Sequence, residues 1–151
     1  MKIGKRGVLL VELACALSIA MLLSGAVYMS ANMRKAKVDA FARRICSDIR
    51  YVRMRNIYGD DSAKIKFRTD SWKRSGYALY KEDVLEKEEK LPEGIQFVSS
   101  LSTLNFTLAG TLKGSGDTIK ITDSATGYTK VVTIVPFSGR TLIREGIYAY
   151  E

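Results

Sequence analysis

From Val8 to Met33 the chain is predominantly apolar, and Glu12 is the one charged residue in the run. No proline interrupts it, and Leu, Ala, Met, Val and Ile dominate. About 20 apolar residues cross the hydrocarbon core of a bilayer, so this run is long enough to span one. Past Met33 the pattern changes. Val38, Phe41, Ile45, Ile49 and Val52 recur at steps of three and four, with Arg, Lys and Asp between them. That spacing predicts one apolar face on a charged helix. Ser24-Gly25 weakens the helix only locally. Gly59, with Asp60-Asp61 after it, is the natural stop. The two patterns join into one predicted helix over residues 8–57, about 75 Å long at 1.5 Å per residue.

After Gly59 the period shortens. Ala63–Arg68, Gly76–Tyr80, Gly94–Val98, Leu101–Leu108, Thr118–Thr122, Tyr128–Val135 and Arg140–Arg144 are short and rich in β-branched and aromatic residues. Pro92-Glu93-Gly94, Gly110, Gly114-Ser115-Gly116-Asp117, Asp123 to Gly127 and Ser138-Gly139 separate them as turn signals. The last three segments predict an antiparallel meander, because the turns between them are short. Asp83–Lys90 is charge-rich and predicts an exposed connection. The expected architecture is α+β. A long N-terminal helix has a membrane half and an amphipathic half, the second packed on a small antiparallel β-sheet domain. Its parts are a leader at 1–7, the membrane half at 8–33, the amphipathic half at 34–57 and a β domain at 58–151.

Charge and composition then narrow the chemistry. The chain has 151 residues and a net charge of +8. By segment the charge is +3 in the leader, −1 in the apolar run, +6 over residues 34–57 and zero beyond. The basic excess thus flanks the apolar run, where lipid headgroups or neighbouring subunits account for it as well as nucleic acid does. Arg43, Arg44, Arg50, Arg53 and Arg55 form the candidate basic contact face. There is no histidine, which excludes Ser-His-Asp and Cys-His catalysis and the usual zinc and haem sites. No nucleophile stands beside a base, the acidic run at Glu86–Glu89 lacks ligand spacing, and no cofactor or metal is expected. Cys15 and Cys46 would lie about 46 Å apart on one helix and cannot pair within the chain; small buried apolars are the expectation for both. Trp72, Tyr77 and Tyr80 are expected to pack on the sheet, and Gly114–Asp117 to turn a hairpin.

Three readings fit residues 1–33. One is a secretory signal peptide with a small-residue site at Ser24-Gly25-Ala26. Another is a lipoprotein signal ending at Cys15, where Glu12 stands at a position that prefers Leu. The third is a plain transmembrane anchor. Glu12 bears on all of them, because a carboxylate in hydrocarbon costs at least a few kcal/mol and needs a partner. A cation of another molecule, a new α-amino group made by cutting upstream, or water at the interface would each serve.

Lys5-Arg6-Gly7-Val8-Leu9-Leu10-Val11-Glu12-Leu13 resembles the prepilin leader and the start of type IV pilins and type II secretion pseudopilins. In that family a basic leader ends in Gly, a prepilin peptidase cuts after it, the new N-terminus is methylated, and a Glu lies four residues on. The resemblance implies cleavage between Gly7 and Val8, N-methylation of Val8, and an assembly salt bridge from Glu12 to the amine of a neighbouring subunit. Val8-Leu9 replaces the usual Phe-Thr, and Met29 stands where many major pilins have a bending Pro. Ala14, Ala16, Ala20, Ser24 and Gly25 would allow close helix packing.

The stretch from Phe106-Thr107-Leu108-Ala109-Gly110 through Thr118–Thr122 and Val131–Val135 to Ser138-Gly139-Arg140 is similar to H-type minor pseudopilins and fimbrial T-type minor pilins. It also looks like minor pseudopilins of Gram-positive competence systems. Major pilins often carry a C-terminal Cys pair, and this chain has none there, which favours a minor subunit. The implied function is a filament building block, not an enzyme. Its implied partners are other pilins, a prepilin peptidase, an assembly platform, an ATPase and membrane lipid. The implied location is the cell membrane, with a cytoplasmic N-terminus and the β domain outside, and then the filament. Two alternatives remain: a monomeric anchored or secreted β domain that binds a ligand, and a DNA-uptake pilin that touches DNA through the basic face.

Overall fold

The computed structural model describes residues 5–60, 62–70 and 73–146. Helix α1 spans Lys5–Ile57. Eight strands follow: β1 (Lys64–Asp70), β2 (Lys73–Lys81), β3 (Val84–Lys90), β4 (Ile95–Val98), β5 (Thr103–Asn105), β6 (Asp117–Asp123), β7 (Thr129–Ile134) and β8 (Thr141–Gly146). The predicted helix is present, and it begins before Val8. Of the residues singled out from the sequence, Lys2, Asp61 and Trp72 lie outside the described residues. The chain forms two compact units, residues 1–34 and 35–151.

In the second unit the strands form two antiparallel four-stranded sheets, ordered β3-β2-β1-β5 and β4-β6-β7-β8. The expected meander is there as β6-β7-β8, with Ile119 opposite Val132 and Val132 opposite Ile143. The apolar face of the helix closes the core. Val38, Phe41, Ala42, Ile45, Cys46, Ile49 and Val52 are buried against residues of both sheets, among them Ile65, Tyr77, Phe97, Ile119 and Val132. Phe41 meets Tyr77 and Phe97 edge-on, at 5.8 and 6.0 Å between ring centres. Such pairs add to what the buried area alone contributes.

The helix ends where the sequence says it should. Gly59 has φ +99°. Its N–H donates to Asn56 O at 3.1 Å, and that of Asp60 to Arg55 O at 3.1 Å. This is a Schellman cap, which needs a left-handed residue and so favours glycine. Asn56 is buried in the last turn, and its Nδ2 donates to Phe106 O at 2.9 Å, tying the cap to the β5 side.

Three expectations are corrected. Asp83–Lys90 is no loose connection: Val84–Lys90 is strand β3, at the edge of the first sheet. Its charges are satisfied by the helix and by β1, as described below. Leu101–Leu108 shrinks to the three-residue β5, because Phe106 bridges Leu112 and Thr107–Thr111 folds into a turn. Gly114–Asp117 turns no hairpin: it carries the chain from that bridge into β6 of the other sheet.

Candidate functional site: the apolar helix half and the arginine-flanked half

The first unit offers its apolar side chains to solvent. Leu10 is 71% exposed and Leu22 74%, with Leu13, Leu17, Ile19, Leu23 and Val27 similarly open. A window within this helix has a mean hydropathy of 2.1 with none of it buried. By length and composition the helix is apolar enough to cross a membrane. Glu12 is exposed on this helix, and among the described residues its carboxylate has no partner. The backbone is helical through Gly7 and Val8, whose side chains lie outside the described residues.

Ala14, Ala16, Ala20, Ser24 and Gly25 are all exposed. Ala16, Ala20 and Ser24 follow each other at four-residue steps and form one ridge of small side chains, a surface on which another helix can come close. The hydroxyls cost nothing there. Ser18 Oγ donates to Ala14 O, and Ser24 Oγ to Ala20 O, each at 2.8 Å. Both polar groups are thereby satisfied inside the helix. Cys15 is exposed on this half, against the expectation of burial, because the half packs on nothing within its own unit; Cys46 is buried in the core as expected.

The five arginines do not form one face. At 3.6 residues per turn, Arg44 and Arg55 lie on one side of the apolar stripe, and Arg43, Arg50 and Arg53 on the other. Each flank reaches different parts of the β domain. Arg44 pairs with Glu89 at 2.9 Å and Arg55 with Glu86 at 2.6 Å, both on β3. Arg55 also holds Asp60 at 2.6 Å. On the other flank Arg50 Nε donates to Thr141 Oγ1 at 2.9 Å, and Arg53 Nε to Gly110 O at 2.9 Å. Four of the five guanidiniums thus hold the helix to the β domain.

Three carboxylates that sequence reasoning passed over belong to the same frame. Asp48, on the Arg44 side, is buried, accepts from Tyr77 Oη at 2.7 Å and pairs with Lys87 of β3 at 2.8 Å. Burial and the Asp48 carboxylate together hold the Tyr77 hydroxyl well above the ordinary range, so it stays a donor. Asp39, on the other side, accepts from Tyr128 Oη at 3.0 Å and faces Lys130 at 3.6 Å. Asp117 opens β6 and gathers Ser99 and Ser100: both hydroxyls and the Ser100 and Thr118 amides donate to it. Asp39 and Asp48 carried no motif; their signal is a lone acid on each flank of an otherwise basic helix. Among the described residues no group of acids and cysteines is arranged to hold a metal.

These features define a class of fold: a long helix, apolar first and amphipathic after, whose second half fills an antiparallel β domain. It is the fold of minor pilins and pseudopilins. The chain is similar to the type IV minor pilin FimU of Pseudomonas aeruginosa in two crystal forms. One matches with a TM-score of 0.58 at 15% identity, over 74% of this chain and 90% of that one. The other gives 0.55 at 17%, over 70% and 91%. It is similar also to EpsH, a minor pseudopilin of the type 2 secretion system of Vibrio cholerae, with a TM-score of 0.55 at 13% identity, over 72% and 97%. No protein-family pattern matches the sequence, and no curated protein matches it either.

Proposed function

We propose that this chain is a minor pilin or pseudopilin subunit, cut after Gly7, methylated on Val8 and built into a membrane-rooted filament. The observation that carries the reading is a helix with two opposed requirements. Val38, Phe41, Ile45, Ile49 and Val52 are buried in their own domain, while the apolar side chains described between Leu10 and Val27 are exposed. A helix of the second kind needs other helices or lipid. The fold shared with FimU and EpsH supports the same use. The basic residues Lys2, Lys5 and Arg6 keep the leader cytoplasmic and leave the β domain outside.

Within the filament Glu12 neutralises the α-amino group of Val8 on a neighbour. Two charges poorly solvated in lipid gain by pairing, and the pair fixes the axial register of one helix against the next. Ala14, Ala16, Ala20, Ser24 and Gly25 let the helices approach. A prepilin peptidase, a platform protein and an ATPase are the machinery this requires. The chemistry is structural, with no catalytic residue.

Mass spectrometry of the N-terminus from native membranes tests this. A chain beginning at Val8, with the added mass of a methyl group, is the expected result. A chain beginning at Met1 or at a residue after Ala26 overturns it in favour of an anchored or secreted domain. Glu12→Gln should be cut normally and yet be lost from sheared filaments.

A further inference from the structure

Two turns meet at the C-terminal end of α1. Arg53 Nε donates to Gly110 O. A Cβ placed on Gly110 would collide with Ile57, and one on Gly139 would collide with the Gly110 carbonyl and Arg53. Leu112 N–H donates to Pro136 O at 2.9 Å. The end of the helix, the Thr107–Thr111 turn and the β7–β8 turn are therefore one packed structure. These segments carry exposed apolar side chains: Phe137 is 90% exposed, Tyr58 82% and Leu108 57%. All three stand on backbone held by hydrogen bonds of the helix end and these turns.

Beside them lies a recess of about 380 Å³ lined by Arg50, Arg53, Met54, Arg140, Thr141 and Leu142. Three arginines line it, and no carboxylate does. Arg50 and Arg53 spend one edge on Thr141 and Gly110, and among the described residues Arg140 has no carboxylate partner. The other flank of the helix differs: Arg44 and Arg55 are neutralised by Glu89, Glu86 and Asp60. The uncompensated positive charge of the helix end is thus concentrated in this recess, next to exposed aromatic and aliphatic side chains. Arginine with aromatic residues is the composition of interface hot spots.

We infer that this end of the domain is a docking surface for an acidic, partly apolar segment of another protein, whose carboxylates enter the arginine recess while its apolar side chains cover Phe137 and Leu108. Charge complementarity selects the occupant. The recess offers paired N–H donors suited to carboxylates, and the apolar rim suits a peptide chain. A duplex would need a continuous basic track along its phosphates, and the acids of β3 interrupt one on the opposite flank. The surface lies wholly within residues 35–151 and does not depend on cleavage at Gly7.

The test uses the full chain in a non-ionic detergent, with fluorescein-labelled peptides of alternating Val and Glu, the Val and Gln counterpart, and a 20-base-pair DNA duplex as probes. Anisotropy should show the Glu peptide binding at least tenfold more tightly than the Gln peptide. Arg140→Glu and Phe137→Ser should each weaken it at least tenfold, while circular dichroism and melting stay unchanged. Equal binding of the two peptides, or binding indifferent to both variants, overturns the inference. So does preferential binding of the duplex that Arg140→Glu abolishes, or self-association that Phe137→Ser abolishes, which would make a second copy the occupant.

Discussion

Asp117 shows how much one residue arranges at the start of a strand. It is buried, and it gathers Ser99, Ser100 and the Thr118 amide of β6. Burial works to raise its carboxyl pKa, but the donors from Ser100, Ser99 and Thr118 outweigh it and hold the group below its ordinary 3.8. A folded value below the unfolded one means the carboxylate stabilises the fold above the unfolded value. That contribution is lost as pH falls through the lowered folded value. Asp117→Ala should therefore cost about 2 kcal/mol at neutral pH, the cost of leaving several buried donors unpaired. Asp117→Asn should flatten the loss of melting temperature between about pH 5 and pH 2 relative to the parent chain. Parallel pH profiles for parent and Asn variant would remove Asp117 from the acid sensitivity. Tyr77→Phe probes a second buried carboxylate, Asp48. Asp48 would keep Lys87 and lose its 2.7 Å phenol donor, and a loss of about 1–2 kcal/mol in urea unfolding is expected.

At the scale of elements, strand β3 explains both what was legible in the sequence and what was not. The helix could be read because its apolar positions repeat at its own period and its stop is a glycine. The β6-β7-β8 meander could be read because Ile119, Ile121, Val132 and Ile134 alternate with polar residues. β3 could not, because its run Glu86-Lys87-Glu88-Glu89-Lys90 looks like solvated chain. What makes it a strand lies elsewhere: Lys87 and Glu89 reach Asp48 and Arg44 on the helix, and Glu88 reaches Arg68 of β1. Pairing between distant charges leaves no local pattern. The same long-range pairing divides the five arginines into two flanks, which their count alone does not reveal. An edge strand so charged also resists pairing with other chains.

The β2–β3 turn was equally hidden. Glu82 and Asp83 both have positive φ, at 47° and 64°, between paired Lys81 and Val84. That is the geometry of a two-residue turn for which Asn-Gly is preferred. Glu82→Asn should stabilise the domain by a few tenths of a kcal/mol, since Asn tolerates the left-handed region better; an unchanged or lower melting temperature would contradict it. The β7–β8 turn makes the opposite demand. Gly139 has φ +60°, and any Cβ there meets the Gly110 carbonyl. Gly139→Ala should cost about 2–4 kcal/mol, visible as a lowered urea midpoint.

At the scale of the whole molecule, α1 performs two tasks with two halves, and the division can be tested. Every helix residue in the hydrophobic core lies between Val38 and Val52. Arg44, Arg50, Arg53 and Arg55, which bond the helix to the β domain, lie in the same half. Nothing the β domain needs for its core therefore comes from residues before 35, which matches the division of the chain into two units at that point. A fragment covering residues 35–151 should be soluble and should unfold cooperatively in urea, because its core is complete and its apolar helix half has been removed. A fragment starting at Arg53 should fail to fold. It lacks Val38, Phe41, Ile45, Ile49 and Val52, so both sheets would expose the faces those side chains cover, at about 25 cal/mol for each Å² of apolar surface. If instead the 35–151 fragment exposes apolar surface to a dye and melts without cooperativity, the first half of the helix contributes to the domain's stability. The apolar residues from Leu10 to Val27 could then no longer be assigned to association alone.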